Sequence, residues 1–284
     1  MTSLTALIDG SIYSQSVCDH AAWAAQRLSA TVRLVHVIGR RDTSSDPANL
    51  SGSISLGART ALLEELAELD AQRSKLSQRR GRLILEDARE RLVQAGITDP
   101  AAALRLGDVV EAVQDTEHDA DLIIIGKRGE AADFAKLHLG SNLERVVRSS
   151  HRPVLVAARA FKPISRFLIA FDGGTSAMKA VDHVARSLLF AGLECHLLTA
   201  GADTPEARKR LEDAAILLRA AGYTVQTDIE AGAADAAIAK RVEADGIDLL
   251  VMGAYGHSRI RSLIIGSTTT EMIRSCMIPV LLFR

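Results

Sequence analysis

One pattern of residues occurs twice in this chain of 284 residues, and this repetition restricts the possible folds more than any other feature. The N-terminal segment "ALIDGSIYSQSVCDHAAWAAQRL" has a counterpart in "LIAFDGGTSAMKAVDHVARSLL", since both run from an apolar stretch through Asp-Gly to an amphipathic stretch with Asp-His. Further on, "DADLIIIGKRG" matches "GIDLLVMGAYG", and "HLGSNLERVVRSSHRPVLVAAR" matches "IIGSTTTEMIRSCMIPVLLFR". We therefore predict two copies of one folding unit, residues 1–160 and 161–284, joined near "RAFKPISR".

Within each unit, short β-branched runs alternate with helical patterns. This alternation predicts an α/β fold in which each unit has a five-stranded, mostly parallel sheet with helices on both faces. In the second unit we expect strands at about 166–171, 194–200, 223–229, 248–252 and 279–283. Helices are expected near 175–191, 205–221, 233–245 and 267–276. Ligands of such sheets bind beyond the carboxyl ends of the strands, at the point where the strand order reverses.

Composition excludes several classes of function. The formal charge of −1 and the pI near 6.7 argue against a nucleic-acid partner or a polybasic membrane surface. The longest apolar runs have strand length, and the N-terminus lacks the features of a signal peptide, so we expect a cytoplasmic protein. The three cysteines lie far apart with no CxxC pair, which favours reduced thiols over a disulfide or zinc framework.

Glycines near the C-terminus suggest a phosphate site. Gly253 and Gly256 follow a predicted strand, and Gly266-Ser267-Thr268 opens a predicted helix. Glycines let backbone N–H groups approach a ligand closely, and a helix N-terminus attracts anions, above all phosphate. The intervening loop carries His257, Arg259 and Arg261, which are donors that could reach phosphates.

The same residues also allow a purely structural interpretation, without any phosphate site. A glycine-rich turn after a strand can be only a turn, and Ser or Thr is the commonest residue at a helix start. Thr268-x-x-Glu271 and Ser141-x-x-Glu144 both fit a capping box. There is no Walker A sequence and no GxGxxG.

The spacing Gly-x-x-Gly, nine residues, Gly-Ser in "GAYGHSRIRSLIIGS" resembles the ATP-binding signature of the universal stress protein family. The resemblance covers both halves almost from end to end, so the chain looks like a tandem member of that family. It implies two Rossmann-like (HUP-type) domains and ATP, with or without Mg²⁺, as the cofactor. It also implies a non-catalytic, cytoplasmic stress-response regulator that forms a pseudo-dimer within one chain and, as a further option, a homodimer.

The resemblance implies roles for particular residues of the second unit. Asp172 matches the acidic residue near adenine and ribose, and Ala200 matches a position whose backbone contacts adenine, where the family commonly has valine. The remaining positions match the phosphate-binding set and the loop donors: Gly253, Gly256, His257, Arg259, Gly266, Ser267 and Thr268. No metal-binding protein residue and no catalytic residue is implied.

The first unit departs from the signature. Its matching positions are Asp9, Val37, Gly126, Gly129, Gly140 and Ser141. Ten residues rather than nine separate Gly129 from Gly140, and Glu130 and Asp133 place negative charge in the loop. Such charge disfavours a polyphosphate, although Lys127, Arg128, Lys136 and His138 partly offset it. We therefore expect nucleotide mainly in the second unit.

The first unit also contains a long helical pattern at about residues 58–96. Leu62, Leu66, Leu69, Leu76 and Leu83 follow a 4-3 alternation that Arg73, Arg80 and Asp87 interrupt, and Gly81 could kink or split the helix. Two interpretations remain open. We favour a pair of helices packed on their own sheet over a projecting arm that mediates self-association.

No residue pattern supports catalysis. The histidines are scattered, and His20 and His183 recur in the first helix of each unit, where a packing role is expected. Slow ATP hydrolysis has no support in the sequence. The alternative to a nucleotide-binding regulator is a scaffold that has lost nucleotide binding and acts by dimerisation and protein–protein contacts. In that case the strand of "PVLLFR" could pair with that of "RPVLVAAR".

Overall fold

A computed structural model describes residues 2–39, 56–127, 141–254 and 267–284. The first half of the chain supplies five strands and four helices. They are β1 (Ser3–Leu7), α1 (Ser14–Leu28), β2 (Thr31–Ile38), α2 (Leu56–Gln94), β3 (Ala101–Leu106), α3 (Val109–Glu117), β4 (Leu122–Gly126), α4 (Ser141–Ser149) and β5 (Val154–Ala157).

The second half repeats this order. Its elements are β6 (Arg166–Ala170), α5 (Thr175–Arg186), β7 (Glu194–Ala200), α6 (Pro205–Ala220), β8 (Val225–Glu230), α7 (Ala234–Ala244), β9 (Leu249–Gly253), α8 (Ser267–Ser275) and β10 (Val280–Phe283), with a short 3₁₀ turn at Leu188–Phe190. The predicted strands and helices of this half are confirmed to within a few residues at each end, except that the helix predicted at 175–191 ends at Arg186, before the 3₁₀ turn. The predicted domain boundary at residues 160 and 161 lies between β5 and β6, and as a division into domains it stays a prediction.

All ten strands form a single sheet in the order β3-β2-β1-β4-β5-β10-β9-β6-β7-β8. Neighbouring strands within each half are parallel. The two halves meet at the centre, where β5 and β10 pair antiparallel with Leu155 opposite Leu281. The pairing of the two PVL-containing strands, expected as part of the scaffold hypothesis, is therefore present within one chain.

Helices cover both faces of this sheet. The apolar side chains of α1, α2, α5 and α6 form one buried layer, and those of α3, α4, α7 and α8 form the other. The inner strands β4, β5, β9 and β10 are buried almost throughout because parallel strands covered on two faces favour continuous apolar runs. The α/β fold with two Rossmann-like halves is thus confirmed. No described helix combines the length and apolar character that crossing a membrane requires.

The long pattern in the first half forms one helix of 39 residues, α2. The favoured prediction of a helix pair was wrong. Gly81 does not divide the helix. A Cβ atom built on it would lie 2.7 Å from Leu104 Cδ1 and 2.8 Å from His36 Cδ2. The glycine therefore lets α2 lie close to β2 and β3.

Replacing Gly81 with valine is expected to lower the free energy of unfolding by about 1–3 kcal/mol through overpacking. The His36 ring has little freedom to move away, since its Nδ1 lies 2.6 Å from the Ile8 carbonyl oxygen. Urea denaturation measures the effect, with Ala71→Val on the exposed part of α2 as the matched control, expected to cost about 0.5 kcal/mol. Equal losses in the two variants would contradict the close-packing explanation.

Candidate functional site

The strand order of each half creates a switch point. From β6 the chain continues to β7 on one side and returns later to β9 on the other side. β6 and β9 are parallel and in register, with Ala170 beside Met252, so their carboxyl ends share one edge of the sheet. The first half has the same arrangement between β1 and β4. Each half therefore has a crevice where an α/β sheet binds ligands.

Asp172 stands at the mouth of the second crevice, in the loop after β6. Its Oδ1 accepts a hydrogen bond of 2.8 Å from the Gly174 N–H, which closes a tight turn. Gly173 between them has a φ of 74°, a left-handed conformation that favours glycine. The Asp172 side chain is exposed.

Asp9 occupies the matching place in the first half. Its Oδ1 accepts hydrogen bonds from the Ser11 N–H at 2.9 Å and from the Ser14 hydroxyl at 3.3 Å. The residue before each aspartate makes the same backbone hydrogen bond to the neighbouring strand, so Asp9 and Asp172 occupy equivalent positions in the two halves. The Ile8 N–H donates to the Val35 carbonyl and the Phe171 N–H donates to the Leu198 carbonyl, at 2.9 and 2.8 Å.

Gly253 ends β9 at the other side of the second crevice. A Cβ atom at this position would lie 2.8 Å from Ser176 Cβ and 3.1 Å from the Ala177 nitrogen. The first turn of α5 therefore packs directly on the end of β9, and only glycine leaves room for it. The close packing of α5 therefore explains why residue 253 is glycine. Neither the phosphate site nor the turn expected at this position from the sequence includes this contact.

A second helix begins at the same strand end. The Thr269 hydroxyl, in the first turn of α8, lies 3.3 Å from both the Gly253 and the Ala254 carbonyl oxygens, to which it donates. Thr269 is buried, with 3% of its surface exposed. The N-termini of α5 and α8 are thereby both held at the end of β9. Sequence reasoning missed Thr269, although the "STTT" run marked the helix start.

The remaining predicted phosphate residues are only partly described. Ser267 is the first residue of α8 and Thr268, half-buried, follows it. Thr268 is therefore inside the first turn rather than at a cap, and Glu271 pairs with Arg274 at 2.5 Å. A capping box would place Thr268 one residue before the helix, whereas α8 begins at Ser267. Four predicted residues lie outside the described residues: Gly256, His257, Arg259 and Gly266.

The predicted adenine-side positions lie at the ends of the second strand of each half. Ala200 ends β7, half-buried, opposite Glu230 of β8. Lys240 forms an ion pair with Glu230. The hydrogen bond from Lys240 holds the pKa of the Glu230 carboxyl below its usual value, so its negative charge is already compensated. Val37 lies one residue before the end of β2 and packs against the core.

The first-half site differs from the second in one described contact. Lys127 directly follows β4, and its ammonium group donates a hydrogen bond of 2.6 Å to the Cys276 carbonyl oxygen, just after α8. A cation is favourable at a helix C-terminus because the last carbonyls carry partial negative charge. Lys127 is expected to offset acidic residues of its own loop, which lies outside the described residues, and the observed contact links it to the other half as well. Gly126 ends β4, whereas Gly129 and Gly140 lie outside the described residues and Ser141 begins α4.

Titratable groups elsewhere show packing roles. His20 is fully buried with its ring 5.0 Å from that of Phe161, and His183 lies 5.0 Å from Phe283. The packing role predicted for both histidines agrees with these contacts.

All three cysteines are free and buried, and burial raises the pKa values of Cys18 and Cys195 to about 12. Across the described ranges, no group of three or more His, Cys, Asp or Glu residues could hold a metal ion.

Comparison with known proteins agrees with this architecture. The sequence model of the universal stress protein family matches residues 2–158 and 197–284. Universal stress protein Slr1230 of Synechocystis is 39% identical over 287 residues, with all of both chains covered. Universal stress protein MJ0577 of Methanocaldococcus jannaschii is 30% identical over 81 residues, which covers 28% of this chain and 50% of that protein.

Solved structures show the same fold over the whole chain. A universal stress protein from Archaeoglobus fulgidus superposes with a TM-score of 0.74 at 21% identity, covering 99% of this chain and 98% of that one. The repeated halves, the two crevices and the full-length match to Slr1230 lead to one conclusion. This chain belongs to the universal stress protein family.

Proposed function

We propose that the second half binds ATP or another adenine nucleotide in the β6–β9 crevice and acts as a non-catalytic regulator of the stress response. The observation that carries this proposal is the meeting of two helix N-termini, those of α5 and α8, at the end of β9. Helix N-termini present unpaired backbone N–H groups and a partial positive charge, which together attract phosphate.

In this proposal the nucleotide lies across the carboxyl edge of the sheet. Asp172 receives the ribose side, Ala200 offers its backbone to adenine, and Ser267 and Thr268 receive phosphate at the start of α8. Gly256, His257, Arg259 and Gly266 complete the phosphate side, with Mg²⁺ as an optional companion of the nucleotide. Gly253 contributes by letting α5 approach the strand end.

The second site is favoured over the first for two reasons. The loop of the first half is one residue longer and contains Glu130 and Asp133, which repel a polyphosphate. In addition, the Lys127 ammonium group donates a hydrogen bond to the Cys276 carbonyl oxygen in the other half. We therefore propose that any nucleotide at Asp9, Val37, Gly126, Gly129, Gly140 and Ser141 binds more weakly.

The proposed action is regulatory rather than chemical. Catalysis would require a group that positions water at the γ-phosphate, and no described residue at the crevice is assigned that task. Bound nucleotide would instead order the segment between Gly253 and Gly266, and a protein partner in the cytoplasm would recognise the ordered form.

Nucleotide content of the purified protein tests this function. Protein purified without added ligand is denatured, and the released nucleotide is quantified by ion-pair chromatography. We expect adenine nucleotide in the unaltered protein and its loss in Gly266→Val. The matched first-half variant Gly140→Val should keep most of it, because that site is the weaker one.

Calorimetric titration with ATP and Mg²⁺ completes the test. An empty protein that shows no binding at millimolar ATP would overturn the proposal. It would favour the scaffold hypothesis, in which the glycines serve only turns and close packing. Gly253→Val is unsuitable as the main variant, since it would disturb the contact between α5 and β9 in either case.

A further inference from the structure

Helix α2 has two halves with different environments. Gly81, Leu85, Ala88 and Leu92 are buried, and the last three belong to the core layer under α1. In the described stretch 62–80 no residue is buried. The stretch from Leu56 to Arg80 contains 25 residues, which corresponds to about 37 Å of helix. Residues 62–80 of this helix therefore add no buried side chain to the core of their own chain.

This half carries a stripe of exposed leucines at intervals of seven residues. Leu69, Leu76 and Leu83 are 54%, 68% and 59% exposed, and the half-buried Leu62 continues the stripe. Successive helical residues are rotated by about 100°, so these leucines lie within about 60° of one another. Leu69, Leu76 and Leu83 lie about 160–180° from Leu85, on the face opposite the sheet. The stripe cannot be covered by the sheet on which α2 packs.

Between Leu62 and Leu83, the charges of α2 are separated into two blocks on either side of the stripe's midpoint. Glu64, Glu65 and Glu68 precede it, and a basic block follows it; all of these side chains are exposed. The basic block consists of Arg73, Lys75, Arg79, Arg80 and Arg82. A second α2 in parallel orientation would place like charges side by side, which is unfavourable. An antiparallel copy would place each acidic block beside the basic block of its partner.

We propose that α2 is a dimerisation helix that pairs with α2 of a second copy of this chain in antiparallel orientation. The twofold axis passes near residues 72 and 73, midway between Leu69 and Leu76. Leu69 then faces the partner's Leu76, and Leu62 faces the partner's Leu83. The leucine stripe and the charge blocks give the same midpoint independently. Self-complementarity of this kind is what a closed twofold interface requires.

Arg73 lies near the twofold axis and introduces a charge beside the apolar stripe. A polar residue at such a position lowers stability but selects one register over others. The charge blocks determine the relative orientation of the two helices and the specificity for a second copy, and they contribute less to the affinity. The proposed interface is therefore specific and of moderate strength, and it is independent of the nucleotide crevice.

Sedimentation equilibrium of the purified full chain tests the interface. We expect a mass twice the 30.4 kDa of one chain. The double variant Leu69→Gln with Leu76→Gln should sediment as a single chain, because it removes the central apolar contacts while keeping helix-forming residues. The matched control is Ile216→Gln with Leu217→Gln on α6, two leucine-sized side chains that are 54% and 47% exposed, and it should remain dimeric.

Cysteine cross-linking tests the orientation. Mixed Glu65→Cys and Arg79→Cys chains should form a disulfide between different variants, whereas oxidised Glu65→Cys alone should not cross-link. An unaltered chain that stays monomeric at the highest concentration that sedimentation allows would overturn the proposal, as would a dimer that survives the double glutamine variant. Cross-linking of Glu65→Cys to itself would overturn the antiparallel arrangement.

Discussion

Truncation of Leu281 to alanine is expected to lower the free energy of unfolding by about 2–5 kcal/mol. Leu281 is fully buried in β10, at the central antiparallel junction of the ten-stranded sheet. Removing its side chain leaves a cavity in the layer that contains residues of both halves. The surrounding strands cannot collapse into that space, because they are held in register on both sides.

Urea denaturation followed by far-UV circular dichroism measures this loss. Leu217→Ala on α6 is the matched control, since this leucine is 47% exposed and its truncation should cost about 0.5 kcal/mol or less. Similar losses for the two leucines would refute the central role of β10.

A double-mutant cycle extends the test to the strand pairing itself. Leu155 and Leu281 are directly opposite each other across β5 and β10. Truncating either side chain therefore removes packing from the same part of the core. We expect an interaction energy of about 0.5 kcal/mol or more in the double alanine variant. Strict additivity would indicate that the two halves do not share a packed junction.

Acid is expected to destabilise the protein strongly through His20. Burial lowers the pKa of His20 from 6.5 to about 4. Its Nδ1 lies 2.6 Å from the Ser16 carbonyl oxygen, which fixes the Nδ1–H tautomer, and its Nε2 has no hydrogen-bond partner among the described residues. Protonation would therefore place an uncompensated charge in the core, next to Phe161.

The direction of the effect follows from the two pKa values. The folded-state pKa is below the unfolded-state pKa, so the unfolded chain binds the proton first as the pH falls. The contribution of neutral His20 is complete above about pH 6.5 and is lost between pH 6.5 and 4, by about 3 kcal/mol in total.

The variant His20→Asn isolates this contribution, because asparagine keeps an amide donor for Ser16 but does not titrate. Free energies of unfolding at pH 7.5 and pH 4 should differ by about 3 kcal/mol less in the variant than in the unaltered protein. His183→Asn serves as a comparison in the second half, where burial also lowers the histidine pKa. If His20→Asn leaves the acid sensitivity unchanged, other groups are responsible for it.

Much of the fold could be predicted from the sequence, because its signals are local. The alternation of strand and helix patterns predicted the elements of the second half within a few residues, as with β7 at Glu194–Ala200. The same alternation predicted a ligand crevice beyond the carboxyl ends of the strands, the edge that β6 and β9 share in the second half. The prediction that failed concerned packing between distant segments. The expected helix pair is the single α2, and Gly81 packs against β2 and β3 instead of dividing the helix.

The sequence by itself determined the repeat, the parallel architecture and the family, since periodicity, spacing and identity are properties of residues along the chain. Only the tertiary structure decided why particular residues are needed. A Cβ atom added at Gly81 or at Gly253 would lie within 3 Å of atoms of another element, and the Lys127 ammonium group reaches the Cys276 carbonyl oxygen because α8 ends beside it. The free energy of these contacts depends on distances between segments far apart in sequence, and no local pattern contains those distances.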